Sequence, residues 1–219
     1  MSMDSIKIRK LYELLYARYG EMHWWPADTA YEVMVGAVLT QNTAWTNVKK
    51  ALANFGTRLD PKFIETVSID ELRDIIRPAG FFNQKAIYLK TLNEWFSGYG
   101  YSIDLVKKKP MEQIREELLA LRGIGNETAD SILLYAFEFL VFVVDNYTIR
   151  LTQRLYDSEK RLRYEEAQRL YMSAIDKSYY NNFHAMIVEV SKDFCRAKPV
   201  CEGCLVRCIC STVINNGLR

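Results

Sequence analysis

The sequence predicts a nearly all-α fold, and three observations carry that reading. Apolar residues recur at helical spacing in segment after segment, beginning with Ile8, Leu11, Leu14 and Leu15. Strand patterns are few. The most ordered stretch, residues 121–150, reads as a helix, a glycine-rich hairpin and a second helix. At 219 residues and 49% apolar, the chain can bury one core or two small intimate ones, and general disorder is excluded. No stretch reaches the roughly 18–20 apolar residues that cross a bilayer, and Glu138 interrupts the longest candidate. The opening MSMDSIKIRK is charged but lacks a following apolar region, so no signal peptide is expected. The expectation is a soluble, intracellular chain. Its formal charge of +2 is no compositional sign of nucleic-acid binding, so any basic surface must come from local clustering.

Taken in order, residues 4–19 form an amphipathic helix. Met22-His23-Trp24-Trp25-Pro26 follows. Two adjacent tryptophans before a proline cannot both point the same way, so one fills core while the other lines a surface or pocket; plain core packing is an equal alternative. Residues 29–55 give two helices, joined by the polar break Thr40-Gln41-Asn42-Thr43 with its cap formers before Trp45. Helices are expected near 63–67, 69–76 and 86–96, with Arg77-Pro78-Ala79-Gly80-Phe81-Phe82-Asn83-Gln84-Lys85 between the last two. Ile114, Leu118, Leu119 and Leu121 then lead into the turn Leu121-Arg122-Gly123-Ile124-Gly125. Its glycines allow positive φ and close approach by another backbone. The helix from Asn126 presents N-terminal amides suited to a phosphate. An apolar run at 139–144 delivers one carboxylate, Asp145, which can also cap a helix. Residues 151–190 supply further helices around a solvated charged stretch at 157–163.

All five cysteines lie in the tail, as Cys195-x5-Cys201-x2-Cys204-x3-Cys208-x1-Cys210. That density in an otherwise cysteine-free chain predicts a metal rather than disulfides. Structural zinc usually takes two separated Cys-x2–4-Cys knuckles. Here one tight pair is flanked by gaps of five on each side, which suits a loop wrapped around a larger iron–sulfur cubane, with zinc as the minor alternative.

The pattern L-x-G-x-G, a helix, then V-V-D-N-Y-x-x-R resembles the helix-hairpin-helix DNA glycosylases of the endonuclease III superfamily. The family hallmark is that hairpin followed by an essential aspartate. The resemblance implies that Asp145 is catalytic and that Gly123, Ile124, Gly125 and Thr128 of the hairpin, with Arg150 beyond it, bind DNA. LTQNT resembles the family loop whose glutamine enters the base stack, which makes Gln41 a wedge. GFFNQKA resembles the loop carrying a second apolar plug, which makes Phe81 another wedge and puts Lys85 within reach of a phosphate. The tail resembles the family cluster loop C-x6-C-x2-C-x5-C with one residue fewer in the first gap. A 4Fe–4S cluster on Cys195, Cys201, Cys204 and Cys210 is implied, with Cys208 spare. The implied fold is a six-helix barrel over 28–140, with a terminal lobe from 1–27 plus 141–219, and DNA between the two.

One departure from the family is informative. Two residues after the hairpin's second glycine, endonuclease III proper carries a lysine that forms a Schiff base with the sugar; here that position is Glu127. A carboxylate cannot form an imine, so the expectation is a monofunctional glycosylase that leaves an abasic site. WWP, LTQNT with Trp45, RPAGFFNQKA, GIGNETAD and VVDNY together look most like the 3-methyladenine glycosylase III branch. This implies a pocket of Trp24, Trp25 and Trp45 for alkylated purines, whose electron-poor rings stack well on indole faces. Alternatives are a glycosylase for uracil, mismatched thymine or oxidised bases, an endonuclease III-like enzyme with lyase activity, and a non-catalytic binder of DNA structure. The expected partner is double-stranded DNA holding a damaged base, met by a nucleoid-associated monomer.

Overall fold

The structure is a computed structural model that describes residues 3–22, 24–159 and 161–215. Among these residues no strand is present, and the predicted all-α class holds. The helices are α1 (Met3–Tyr19), α2 (Ala30–Leu39), α3 (Trp45–Phe55), α4 (Pro61–Thr66), α5 (Ile69–Ile76), α6 (Phe82–Ser97), α7 (Ile103–Lys107), α8 (Met111–Ala120), α9 (Asn126–Ser131), α10 (Asn146–Tyr156), α11 (Tyr164–Ala174), α12 (Tyr180–Asp193) and α13 (Ser211–Asn215). The chain divides into two compact units. One is Trp25–Phe139; the other is Met1–Trp24 with Leu140–Arg219.

The unit Trp25–Phe139 is organised around α2. Its sequence AYEVMVGAVL is apolar almost all round, and every residue from Val33 to Leu39 is buried, as expected of a helix enclosed on all sides. Thr29 caps it by accepting from the Glu32 amide. Helices α3, α6 and α9 pack around it. Each large aliphatic side chain so enclosed contributes roughly 1.5–3 kcal/mol. Two polar groups inside this core satisfy each other: Tyr31 Oη donates to Asn93 Oδ1 at 2.6 Å, and Asn93 Nδ2 donates to the Pro61 carbonyl at 3.0 Å.

Three details depart from the sequence expectation in this unit. Helix α6 starts at Phe82 rather than near 86, because Phe81 turns left-handed at φ +46° and its carbonyl accepts from the Gln84 and Lys85 amides. The short α7 was not expected; Ser102 starts it by accepting from the Leu105 amide. Residues Ile132–Ala136, which read as ordinary helix, form a π-helical turn. That geometry often marks functional positions, and its apolar spacing is indistinguishable from α over so few residues.

In the other unit α12 is the central element, buried at nearly every position from Tyr180 to Val190. Helices α1 and α10 pack against it, with α11 and α13 outside them. The apolar run 141–144 is buried but not helical, so its backbone needs partners from elsewhere. Gln168 Nε2 donates to the Phe142 carbonyl at 2.7 Å, and the Tyr164 hydroxyl accepts from the Val144 amide at 3.3 Å. The Phe142 ring stacks on Tyr171 with centroids 4.7 Å apart. This packing sets where Asp145 emerges.

Candidate functional site

The hairpin joins α8 to α9 within the unit Trp25–Phe139. Gly123 takes φ +86°, and a Cβ there would meet the Tyr88 ring at 2.4 Å, so glycine is required both for conformation and for space. Gly125 is different: it is extended at φ −99°, exposed, and nothing lies within 4 Å of a Cβ built on it. Nothing inside the chain demands glycine there, and its bare backbone is open to another molecule. Between them Ile124 turns its side chain inward, 5% exposed, and its amide donates to the Leu121 carbonyl at 3.1 Å. A bidentate ion pair braces the unit: Arg115 donates from Nε to Asp130 Oδ1 at 2.6 Å and from Nη2 to Oδ2 at 3.1 Å. Asp130 is fully buried. Planar double contacts of this kind fix orientation as well as energy.

Gln41 reaches this hairpin. Its Nε2 donates to the Gly123 carbonyl and to Thr128 Oγ1, both at 2.9 Å. The loop after α2 and the hairpin are therefore one connected surface. Thr128 itself is buried, so its hydroxyl serves this internal bond. Phe81 stands out from its loop at 64% exposure, in a left-handed conformation that is costly for a bulky residue. A large apolar ring held outward by the backbone is the geometry an inserting plug requires.

Lys85 corrects the sequence expectation. Its side chain is 1% exposed, and Nζ donates at 2.8 Å to the Leu39 carbonyl, Thr43 Oγ1 and the Ala79 carbonyl. All three ammonium protons are bound, so none is left for a phosphate. Burial lowers its pKa to about 8, which still leaves it mainly charged at neutral pH. Thr43 closes the network by donating to the Ala79 carbonyl. Lys85 thus ties together the two loops that carry Gln41 and Phe81.

The adjacent tryptophans fall in different units. Trp25 packs edge-on against Trp45, centroids 5.5 Å apart at 84°, and tilted on Tyr135 at 5.2 Å. Its indole rests against Gly36, where a Cβ would come within 3.3 Å of Nε1. Trp45 also lines a cavity of about 450 Å³ with Pro26, Thr29, Glu32 and Lys49. Trp24 lies in the other unit, half-buried, with Lys192 Nζ 5.0 Å from its ring centre. Tyr135, presented by the π-helical turn, was missed from sequence, because an aromatic inside an apolar helical run reads as core.

Asp145 caps α10: Oδ1 accepts from the Thr148 amide at 2.7 Å. Oδ2 lies 3.6 Å from His184 Nε2 on α12. The aspartate side chain is 11% exposed. Burial pushes its carboxyl pKa up, but the His184 imidazole and the amide and hydroxyl of Thr148 outweigh burial, so the net shift is downward. His184 was also missed; a lone histidine on an apolar helix gives no signal of what it will face.

The cysteine loop is fastened to the same helix. Arg154 donates to Cys195 Sγ at 3.2 Å and to the Arg196 and Ala197 carbonyls at 2.6 and 3.0 Å, while Cys210 Sγ donates to the Arg154 carbonyl at 3.4 Å. Cys195 and Cys210 are buried, Cys201 and Cys204 half-buried, and Cys208 is exposed. Burial raises the Cys204 and Cys210 thiols, and the charges of Cys195 and Cys201 add to both shifts. Those four sulfurs therefore sit within electrostatic reach of one another. Among the described residues no three His, Cys, Asp or Glu side chains are placed to hold a metal ion. On the same helix Arg150 donates from Nε to the Cys195 carbonyl at 2.6 Å, and its guanidinium lies over Tyr147. Its Nε thereby clamps the cysteine loop.

A glycine hairpin between α8 and α9, followed by an aspartate-capped helix in an all-helical chain, defines a helix-hairpin-helix protein. The family model for the HhH-GPD superfamily of base excision DNA repair proteins matches residues 35–177. A candidate DNA repair glycosylase of Methanocaldococcus jannaschii is 43% identical over 209 residues, covering 93% of this chain and 95% of its own. The structure of the 3-methyladenine DNA glycosylase of H. pylori bound to 1,N6-ethenoadenine is similar with a TM-score of 0.75 at 31% identity, covering 87% of this chain and 98% of that one. A trapped endonuclease III–DNA intermediate superposes over the whole of both chains with a TM-score of 0.84 at 22% identity, a likeness of fold. The chain belongs to the HhH-GPD superfamily and is a DNA N-glycosylase of base excision repair. Among the described residues no helix is long and apolar enough to cross a membrane.

Proposed function

We propose that this glycosylase is monofunctional and removes alkylated purines, such as 3-methyladenine, from double-stranded DNA. The observation that carries the chemistry is Asp145: a buried carboxylate kept ionised, with one oxygen committed to the helix cap. Cleaving an N-glycosidic bond develops positive charge on the sugar. A fixed carboxylate stabilises that charge and can orient or deprotonate the attacking water. The base must first leave the stack. Phe81 and Gln41 are the proposed wedges, and the backbone at Gly123 and Gly125 is the proposed phosphate anchor.

The aromatic group Trp25, Trp45 and Tyr135 supports the choice of base, with Trp24 as a further candidate. An alkylated purine is cationic or electron-poor and gains from indole faces. Its bond to the sugar is weak, so no strong acid is needed to expel it. The 31% identical relative is described as a 3-methyladenine glycosylase, which supports the same reading.

Monofunctionality rests on two lysine facts. Glu127, exposed in the first turn of α9, stands where an imine-forming lysine would be needed. Lys85, a buried lysine of the same unit, has every proton bound and offers no nucleophile. Cys195, Cys201, Cys204 and Cys210 fit a 4Fe–4S cluster as donors: four thiols in mutual reach, the fifth exposed, and arginine charge against the loop. Such a cluster would supply structural cross-linking of the loop to α10. Arg150 and Arg154 hold that loop by its carbonyls.

The test is base release from duplexes each carrying one lesion, scored with and without alkali. The panel includes 3-methyladenine, 7-methylguanine, hypoxanthine, uracil, mismatched thymine and an oxidised pyrimidine. Methylpurine release, with strand breaks only after alkali, is the expected result. Preference for uracil or thymine overturns the pocket, and breaks without alkali or borohydride trapping overturn monofunctionality.

A further inference from the structure

Asp145 does not face solvent alone. His184, 5% exposed on α12, places Nε2 3.6 Å from Oδ2, the oxygen that the helix cap does not use. The neighbours of His184 on its helix, Phe183, Ala185, Met186 and Ile187, are fully buried apolar residues. The Phe142 ring and the imidazole form a T-shaped pair with centroids 6.3 Å apart. A histidine in such surroundings is costly to bury unless it serves a partner. Thr148 on α10 bonds Oδ1. Tyr171 on α11 feels the aspartate charge but hydrogen-bonds Thr152 at 2.8 Å. Arg161 is turned to Asn146 Oδ1 at 2.8 Å, and Arg150 to the Cys195 carbonyl.

We propose that His184 is a positioning residue for Asp145, its imidazole fixing the carboxylate oxygen that acts on the substrate. This rests on the reading of Asp145 as the catalytic carboxylate. The imidazole and the aspartate start from different helices, so the pair also sets the angle at which Oδ2 is presented. Loss of the imidazole has two separable consequences. The carboxylate gains rotational freedom, which lowers the rate at neutral pH. It also protonates more easily, which moves the acidic limb of the pH–rate profile upward.

The test is single-turnover base release on a 3-methyladenine duplex between pH 4 and 8, with His184→Gln, His184→Phe and Asp145→Asn. Glutamine keeps a donor near the Nε2 position without the imidazole; phenylalanine keeps the volume alone. His184→Gln is expected to lose less than about tenfold at pH 7.5 while its acidic limb rises by about one pH unit. His184→Phe is expected to lose about ten- to a hundredfold with the same displaced limb. Binding to a duplex holding an abasic analogue should be unchanged in both. A purely structural histidine would lower activity equally at every pH, so limbs superimposing on wild type in both variants overturn the proposal. If His184→Phe does not fold, the His184→Gln profile decides alone. Asp145→Asn separates the two readings. Full activity there overturns the role of Asp145 itself, whereas an inactive Asp145→Asn with an undisplaced His184→Gln limb overturns only the role of His184.

Discussion

Lys85 and Asp145 are both buried ionic side chains at helix starts, and they do opposite work. Lys85 has three protons and three acceptors at 2.8 Å; its capacity is used up, and it holds two loops together. Asp145 spends one oxygen on the Thr148 amide and keeps the other against an imidazole at 3.6 Å. Both charges are buried at a cost. What separates scaffold from chemistry is the bonding capacity left over. A saturated buried charge belongs to the fold, while a buried charge with an oxygen in hand is where reactivity is found.

This contrast can be broken by substitution. Lys85→Met should give the largest loss of stability, about 2–4 kcal/mol, because it removes all three ammonium hydrogen bonds, the one to the Leu39 carbonyl among them. Thermal or urea unfolding measures it; a neutral result would make Lys85 a dispensable surface contact after all. Gly123→Ala should cost roughly 1–3 kcal/mol through positive φ and overlap with Tyr88. Gly125→Ala should leave stability within about 0.5 kcal/mol yet weaken DNA binding, since only an outside partner fills that space. Equal melting temperatures for the two glycine variants would contradict the division between them. Phe81→Ala should leave folding intact and slow base release about tenfold, as unstacking loses its apolar wedge.

The smallest effect is in the pH dependence of stability. The Asp145 carboxyl titrates below its ordinary 3.8 in the fold, so the folded state binds fewer protons than the unfolded chain in that range. Its contribution is complete above about pH 4 and is lost as pH falls through the folded value. Asp145→Asn should flatten that acid slope while retaining a cap, and an unchanged slope would place the proton uptake elsewhere.

Much of this was legible in the sequence because it is local. Helix periodicity, the Gly123–Gly125 turn and the Asp145 cap each act within a few residues. What stayed hidden is long-range. Arg115 meets Asp130, and Asp145 meets His184, through tertiary packing that no spacing rule encodes. Lys85 read as a surface lysine because its acceptors are carbonyls of distant loops, invisible in a list of side chains. Tyr135 was absorbed into an apolar run whose π turn redirects it.

The central claim is that Asp145 performs the chemistry. It is tested most directly by single-turnover base release from a 3-methyladenine duplex with Asp145→Asn, alongside the variant's affinity for an abasic-site duplex. A fall of about 10²–10⁴ in rate with affinity kept within a few-fold is the predicted result. Base release within a few-fold of wild type by that folded, DNA-binding variant would contradict it.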